Sequence, residues 1–334
     1  MIAFEAAAPP ADLVPAYEDA ADPRVLLGPG VLAVFGFGDG APRALDDPRY
    51  VHVGLQPATA PAPFEVWRSP RAVTPWRTGV VRGAHDGVLA FGCLEIVEGD
   101  SGIASAAQTA YRQLVTHLCT SAYPHLLRAW NYLDAITQGD GDDERYRQFC
   151  IGRVAGLADY AGQFPAGTAI GRRDGRRVLQ VYWLAARQPG SAIENPRQLP
   201  AYRYPRQYGP QPPSFARAML AAPALRLPLM LSGTAAVVGH ASQHEDDLPA
   251  QLQESFRNFD ALIIQAQAHA PGLPRQFGAG TLLKAYVRDH DALPAATARL
   301  EELLESSVAR LVLQAEICRR ELLIEIDGFH AAEV

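Results

Sequence analysis

Lysine is almost missing from this chain of 334 residues: Lys284 is the only one, beside 29 arginines. A GC-rich genome is the bland source of such a bias. It also means that nearly every cation available to a site is a planar guanidinium suited to bidentate contact with carboxylates. Cysteine is scarce too. Cys93, Cys119, Cys150 and Cys318 are widely spaced with no CxxC pair, which argues against a disulfide framework or a structural zinc. No apolar run reaches the roughly 18–20 residues that span a bilayer. Residues 1–10 have neither the basic start nor the apolar core of a secretory leader. Excess positive charge is absent as well: the formal net charge is −6 and the pI near 5.9, so there is no electrostatic footprint for nucleic acid. These absences predict a cytoplasmic protein with no nucleic-acid or membrane partner. With 48% hydrophobic and 20% charged residues, the composition is that of a globular protein large enough for two domains.

What the chain does have is one pattern written twice. Strand 229–239, helix 249–268, strand 282–287, helix 294–309 and strand 322–327 follow the order of strand 87–96, helix 105–121, strand 126–132, helix 143–158 and strand 178–184. Leu126-Leu-Arg-Ala even matches Leu282-Leu-Lys-Ala. A repeat is one folding unit used twice, so the expectation is an α+β fold of two repeats packed as a pseudo-oligomer, with helices on one face of each sheet. The seam between the copies is the natural place for a site. Residues 1–85 read as an N-terminal extension of short strands (31–35, 50–53) packed on the first repeat. The first repeat is 86–190, a connector fills 191–225, and the second repeat is 226–334.

The connector is rich in proline but also holds Tyr202, Tyr204, Tyr208, Phe215, Arg197, Arg203, Arg206 and Arg217. Proline lowers the entropy cost of ordering a loop, so the segment reads either as an ordered wall that presents donors to an anion or as a passive linker. Two apparent motifs carry less. His240, His244 and Glu245 lie in a polar loop after a strand rather than on a helix that would align an i, i+4 metal pair. Gly30, Gly36, Gly38 and Gly40 precede no helix and make no nucleotide loop. Glu325 is different. Its neighbours Leu322, Leu323, Ile324 and Ile326 are apolar, and the matching stretch of the first repeat, Leu179-Gln-Val-Tyr182, has no acid. Glu325 reads as a buried acid or, in the bland alternative, as a solvated strand residue.

The second repeat resembles the RidA/YjgF fold through Ser232-Gly-Thr, Gln253-Glu254 with Asn258, and the closing Ile324-Glu-Ile. Across nearly the whole chain the resemblance is to the chorismatase family. It is carried by Leu126-Leu-Arg-Ala-Trp-Asn-Tyr, Arg145-Tyr-Arg-Gln-Phe with Gly152-Arg153, and Phe164-Pro-Ala-Gly-Thr. Glu194-Asn-Pro-Arg-Gln, Tyr202-Arg-Tyr-Pro-Arg-Gln-Tyr-Gly-Pro, Ser214-Phe-Ala-Arg and Cys318-Arg-Arg-Glu-Leu-Leu-Ile-Glu complete it. The resemblance implies removal of pyruvate from chorismate without metal or cofactor. Some members hydrolyse chorismate to a dihydroxy-cyclohexadienoate; others deliver 3-hydroxybenzoate, in some cases with 4-hydroxybenzoate. Cys318 stands seven residues before Glu325, as in benzoate-forming members, whereas Ala235 fits either branch.

Under that resemblance Glu325 is the proton donor, and Cys318 shapes the pocket and excludes water. Buried anions need cations, and Arg153, Arg203 and Arg217 would hold the two carboxylates, with Arg145 and Arg128 next in line. Tyr132, Tyr202, Tyr204 and Asn131 would donate hydrogen bonds, as would Ser232, Gly233 and Thr234 at a strand end. Two other readings stand beside it. A RidA-like imine deaminase would need an arginine where Val312 stands, and a non-catalytic anion-binding module would have no use for Glu325. A monomer is favoured, with a trimer as the alternative.

Overall fold

The computed structural model describes residues 11–331; the leader features weighed in residues 1–10 lie outside them. Four short strands come first: β1 (Val14–Glu18), β2 (Val31–Phe37), β3 (Tyr50–Val53) and β4 (Phe64–Arg68), in the order β1-β4-β2-β3. The first repeat follows as β5 (Thr74–Thr78), β6 (Val81–His85), β7 (Leu89–Val97), α1 (Gly102–Thr120), β8 (His125–Asp134), α2 (Arg145–Gly156), β9 (Ala166–Arg172) and β10 (Val178–Ala186). The second comprises β11 (Ser191–Ile193), β12 (Ala218–Leu220), β13 (Leu229–Thr234), the small hairpin β14 (Val237–Val238) and β15 (Ala241–Ser242), α3 (Leu248–Gln267), β16 (Leu282–Val287), α4 (Leu293–Leu303), β17 (Ala309–Gln314) and β18 (Ile324–His330). Their sheets run β5-β6-β7-β10-β8-β9 and β11-β12-β13-β18-β16-β17, the same order twice. Among the described residues no helix is long and apolar enough to cross a membrane.

The structure corrects the sequence reading in several places. β5 and β6 lie before residue 86 yet extend the first repeat's sheet, and β11 and β12 carry the connector's two ends into the second. Helix α4 stops at Leu303 instead of 309, because Leu304 turns extended and the apolar Leu311-Val-Leu313 run becomes a strand parallel to β16. β9 went unpredicted because Ala166-Gly-Thr-Ala-Ile-Gly-Arg is mostly small residues with little β propensity.

The helices form as their sequences dictate. Ile103, Ala106, Ala107, Ala110, Tyr111, Leu114 and Leu118 make one apolar stripe along α1, buried against the sheet. Asp247 caps α3 by accepting from Ala250 N at 2.9 Å, and Leu252, Phe259, Leu262 and Ile263 face inward. In α2, a Cβ on Gly152 would run into Ala104 O and Ala107 Cβ, and one on Gly156 into Tyr111 Cβ. These two glycines let α2 lie directly on α1, which seats Arg153 over the Tyr111 ring at 4.9 Å.

Opposite the helices, both large sheets face a shared core together with the N-terminal sheet. Trp67 packs on Trp130 (5.3 Å) and Phe329 (5.6 Å), and Phe35 on Tyr182 (4.6 Å), so the extension packs on both repeats rather than on the first alone. Each such aromatic contributes about 1.5–3 kcal/mol by burial. The N-terminal sheet is itself a third copy, with one 3-10 turn (Pro23–Leu26) and no α-helix. β1, β2, β3 and β4 stand in the order of β7, β8, β9 and β10, with antiparallel, antiparallel and parallel neighbours in the same places.

Pairing registers align the copies residue by residue: Arg128 faces Leu184, Lys284 faces Asp327 and Phe35 faces Glu65. Around the shared core, Arg128 of the first repeat reaches Asp327 of the second at 3.2 Å. Lys284 of the second reaches Glu65 of the N-terminal sheet at 2.7 Å. At the third seam the pair is replaced by Phe35 on Tyr182. The only lysine is thus fully buried. An amine-reactive ester applied to the folded protein is expected to label the α-amino group and spare Lys284. Peptide mapping that finds native Lys284 modified would contradict this burial.

Candidate active site

A cavity of about 500 Å³ opens where β9 of the first repeat meets β13 and β18 of the second, with the connector closing one side. The two sheets are joined there by backbone and side-chain bonds: Ala216 N donates to Pro165 O, Gly167 N to Ser232 Oγ and Gly233 N to Thr168 Oγ1. Glu325, 6% exposed, reaches the cavity from β18. A Cβ at Gly233 would overlap Glu325 Oε1, so only glycine lets the carboxyl lie flat on β13. Cys318 Sγ is 3.9 Å from Glu325 Oε2.

The surroundings set the acid's character. Burial first, and then the nearby Asp327 carboxylate, raise the Glu325 pKa against the downward pull of Arg128, Arg217 and Arg319, and the net result is about 8. A carboxyl of this kind holds its proton at neutral pH and can deliver it. Burial and the neighbouring Glu325 push the Cys318 thiol well above the usual thiol range, which keeps it from acting as a thiolate.

Five arginines line the cavity, Arg147, Arg153, Arg217, Arg319 and Arg320, of which Arg147 pairs with Asp142 and Glu144 and Arg320 with Asp140. Arg153 is 3% exposed, and its Nε and Nη2 have no hydrogen-bond partner. Arg217 gives Nη2 to Leu199 O (3.0 Å) and Tyr204 Oη (2.6 Å) but leaves Nε without a partner, between the Tyr204 and Phe215 rings. Arg319 donates to His240 O (2.8 Å) and stacks on Tyr208 at 4.1 Å. Buried donors without partners are costly unless a ligand meets them, and these are placed to meet carboxylates.

The sequence-predicted residues divide accordingly. Glu325, Cys318, Arg153, Arg217, Tyr204 and Gly233 come together around the cavity. Tyr132 does not: it is fully buried in the shared core, bonded to Tyr182 and Tyr286 through its hydroxyl. Asn131, on the opposite face of β8, accepts from Tyr111 and donates to Thr168 O, so it braces the wall behind Arg153. Ser232 and Thr234 spend their hydroxyls on Ala216 O and Ser232 O inside the sheet. Arg145 clamps Glu98 through two bonds (2.9 and 2.6 Å) away from the cavity. Arg203 and Tyr202 turn outward from the connector, where Tyr202 packs on Phe164, because the short helical turn Ala201–Arg203 buries Ala201 instead. Arg128 sits in the shared core beneath the cavity.

Arg319, Tyr208, Phe215, Tyr146 and Thr168 line the cavity although the sequence reading did not single them out as site residues. All five fall within the strings that carried the family resemblance, but nothing in those strings separates lining residues from supporting ones. Of the two histidines, His240 faces Tyr208 Oη at 3.2 Å and His244 faces Glu254 at 3.6 Å.

Known proteins resemble this chain over most of its length. The family model described as chorismatase FkbO/Hyg5-like, N-terminal, matches residues 65–185. A 3-hydroxybenzoate synthase of Streptomyces hygroscopicus is 33% identical over 83% of this chain and 84% of its own length. A chorismatase of Streptomyces rapamycinicus is 35% identical over 74% of this chain and 78% of its own. A chorismatase crystal structure superposes with a TM-score of 0.85 at 28% identity, covering 97% of this chain and all of the other. With identity of this level spread across most of both sequences, the chain belongs to the chorismatase family.

Proposed function

We propose that this enzyme removes pyruvate from chorismate and delivers 3-hydroxybenzoate, with 4-hydroxybenzoate as the product to look for beside it. The observation that carries the reading is Glu325: a buried carboxyl with a pKa of about 8 in a cavity where Arg153 and Arg217 hold donors with no partner in the protein. Chorismate brings two carboxylates, a ring hydroxyl and an enol ether. Arg153 and Arg217 would take the carboxylates through the donors that have no partner in the protein, and Arg319 supplies further positive charge. Glu325 then protonates the enolpyruvyl methylene, leaving an oxocarbenium-like centre that weakens the ether bond to the ring. If the ring's own hydroxyl displaces the ether oxygen, its proton returns to Glu325. The atoms of chorismate then divide between pyruvate and a hydroxybenzoate with no water consumed. Cys318 beside Glu325 is the group that supports this branch, because an unionised thiol occupies space that a hydrolytic water would need. The enzyme would act as a monomer in the cytoplasm, since one chain supplies both sides of the seam.

Incubating the pure protein with chorismate and chromatographing the mixture tests the proposal. Pyruvate and 3-hydroxybenzoate in equal amounts are expected. A diene diol in place of the benzoate would overturn the product assignment, and no pyruvate would overturn the activity.

A further inference from the structure

Behind Glu325 stands a hydroxyl whose capacity is spent entirely inside the protein. Thr168 Oγ1 donates to Asp327 Oδ2 (2.8 Å) and accepts from Arg128 Nη2 (2.6 Å) and Gly233 N (3.1 Å). One proton and two lone pairs are all that a threonine hydroxyl has. Although Thr168 borders the cavity, it has nothing left for a ligand. Asp327 Oδ2 accepts further from Trp130 Nε1 (3.0 Å), Tyr286 Oη (3.1 Å) and Arg128 Nη2 (3.2 Å). Residues two apart on a strand share a face, so Asp327 lies beside Glu325 on β18. Gly233, at the other end of the chain of bonds, lies in the irregular stretch of the β13–β18 pairing between Leu231 and Thr234, where Glu325 Oε1 packs.

We propose that Thr168 and Asp327 are positioning residues for Glu325, a hydroxyl–carboxylate bridge across the repeat seam that fixes the Gly233 backbone under the acid and holds a negative charge beside it. The inference rests on the assignment of Glu325 as the proton donor. Thr168 belongs to the first repeat and Gly233, Glu325 and Asp327 to the second, so the bridge makes the acid's geometry depend on how the two copies dock. The groups that face Glu325 are Asp327 on its own strand, Cys318 and Arg319 from the preceding loop, Arg217 from the connector, Tyr146 on α2 and Arg128 on β8. Of these, Asp327 is the one carboxylate, and it opposes three guanidiniums that would otherwise draw the proton off.

Thr168→Val keeps the shape, strands Gly233 N and takes one of four donors from Asp327 Oδ2, and is expected to lower kcat roughly 10–100-fold with KM within about threefold, as misplacement of a reacting group does. Thr168→Ser restores the hydroxyl and is expected to stay within about threefold of the parent. Asp327→Asn removes the negative charge and should move the Glu325 carboxyl titration, followed by infrared or 13C signals assigned through their loss in Glu325→Gln, to lower pH by about one unit or more. Wild-type kcat in Thr168→Val, or a drop that Ser does not rescue, overturns the bridge; an unmoved titration in Asp327→Asn overturns the charge. If Asp327→Asn does not fold, the Thr168 pair decides alone. The titration needs no substrate, so a protein that failed to turn over chorismate would refute the activity while this proposal was still decided.

Discussion

Glu325→Gln is expected to abolish pyruvate release and leave chorismate bound. An amide keeps the shape of the side chain over Gly233 but cannot give a proton to carbon, and general acids contribute about 10²–10⁴ in rate. The expected result is a kcat reduced by that factor, with a dissociation constant within a few-fold by calorimetry, because Arg153 and Arg217 are untouched. In the unmodified enzyme kcat/KM should fall about tenfold per pH unit above pH 8, as Glu325 ionises. The same group has a stability signature. In the unfolded chain a glutamate titrates near about 4.3, whereas the folded value is about 8. Between those values the unfolded state has lost a proton that the folded state keeps, so the group's contribution to stability falls as pH rises through that window and is flat above it. Glu325→Gln has no such proton. Its denaturation midpoint relative to the parent should therefore rise from pH 5 to pH 8. Unchanged turnover would remove Glu325 from the mechanism, and midpoints that stay parallel across the window would remove the raised pKa.

That acid was legible in the sequence because a carboxylate inside Leu-Leu-Ile-Glu-Ile is out of place in any solvated strand. The tyrosines were harder. β8 is buried on both faces, by α1 and α2 on one side and the shared core on the other, so alternation cannot tell Tyr132 from a lining residue. Arg203 and Arg217 look alike in a proline-rich string, and only the turn at Ala201–Arg203 separates outward from inward. The duplication was visible because its helices carry a 3.6-residue period. The third copy was not, since without α-helices it leaves strands of four to seven residues separated by proline and glycine loops. The charged pairs around the shared core were equally hidden: Glu65 and Lys284 are 219 residues apart, and nothing local marks either as the other's partner.

Lys284→Met should reveal how much of the fold hangs on those pairs. Lys284 Nζ lies 2.7 Å from Glu65 Oε2 and 3.8 Å from Asp327 Oδ1, and all three side chains are fully buried. With Arg128 on Asp327, two cations balance two carboxylates. Methionine fills most of lysine's volume, so packing changes little, but Glu65 is left with Trp67 Nε1 at 2.8 Å as its remaining donor and no opposite charge. Breaking a buried pair from one side typically costs about 3–5 kcal/mol, a large part of the roughly 5–15 kcal/mol that holds a protein folded. A fall of that size in unfolding free energy by denaturant titration is the expected outcome. Removing the stranded charge as well, in Lys284→Met with Glu65→Gln, should recover most of it, because a buried pair replaced on both sides is often close to neutral. A single variant that loses less than about 1 kcal/mol, or a double variant no better than the single, would mean that the pair does not join the N-terminal sheet to the second repeat. The comparison also separates the two seams. Arg128–Asp327 lies beneath Glu325, and Lys284 touches that pair only through Asp327 Oδ1 at 3.8 Å, so any turnover that the folded Lys284→Met with Glu65→Gln variant loses reads that one contact rather than the Glu65 pair.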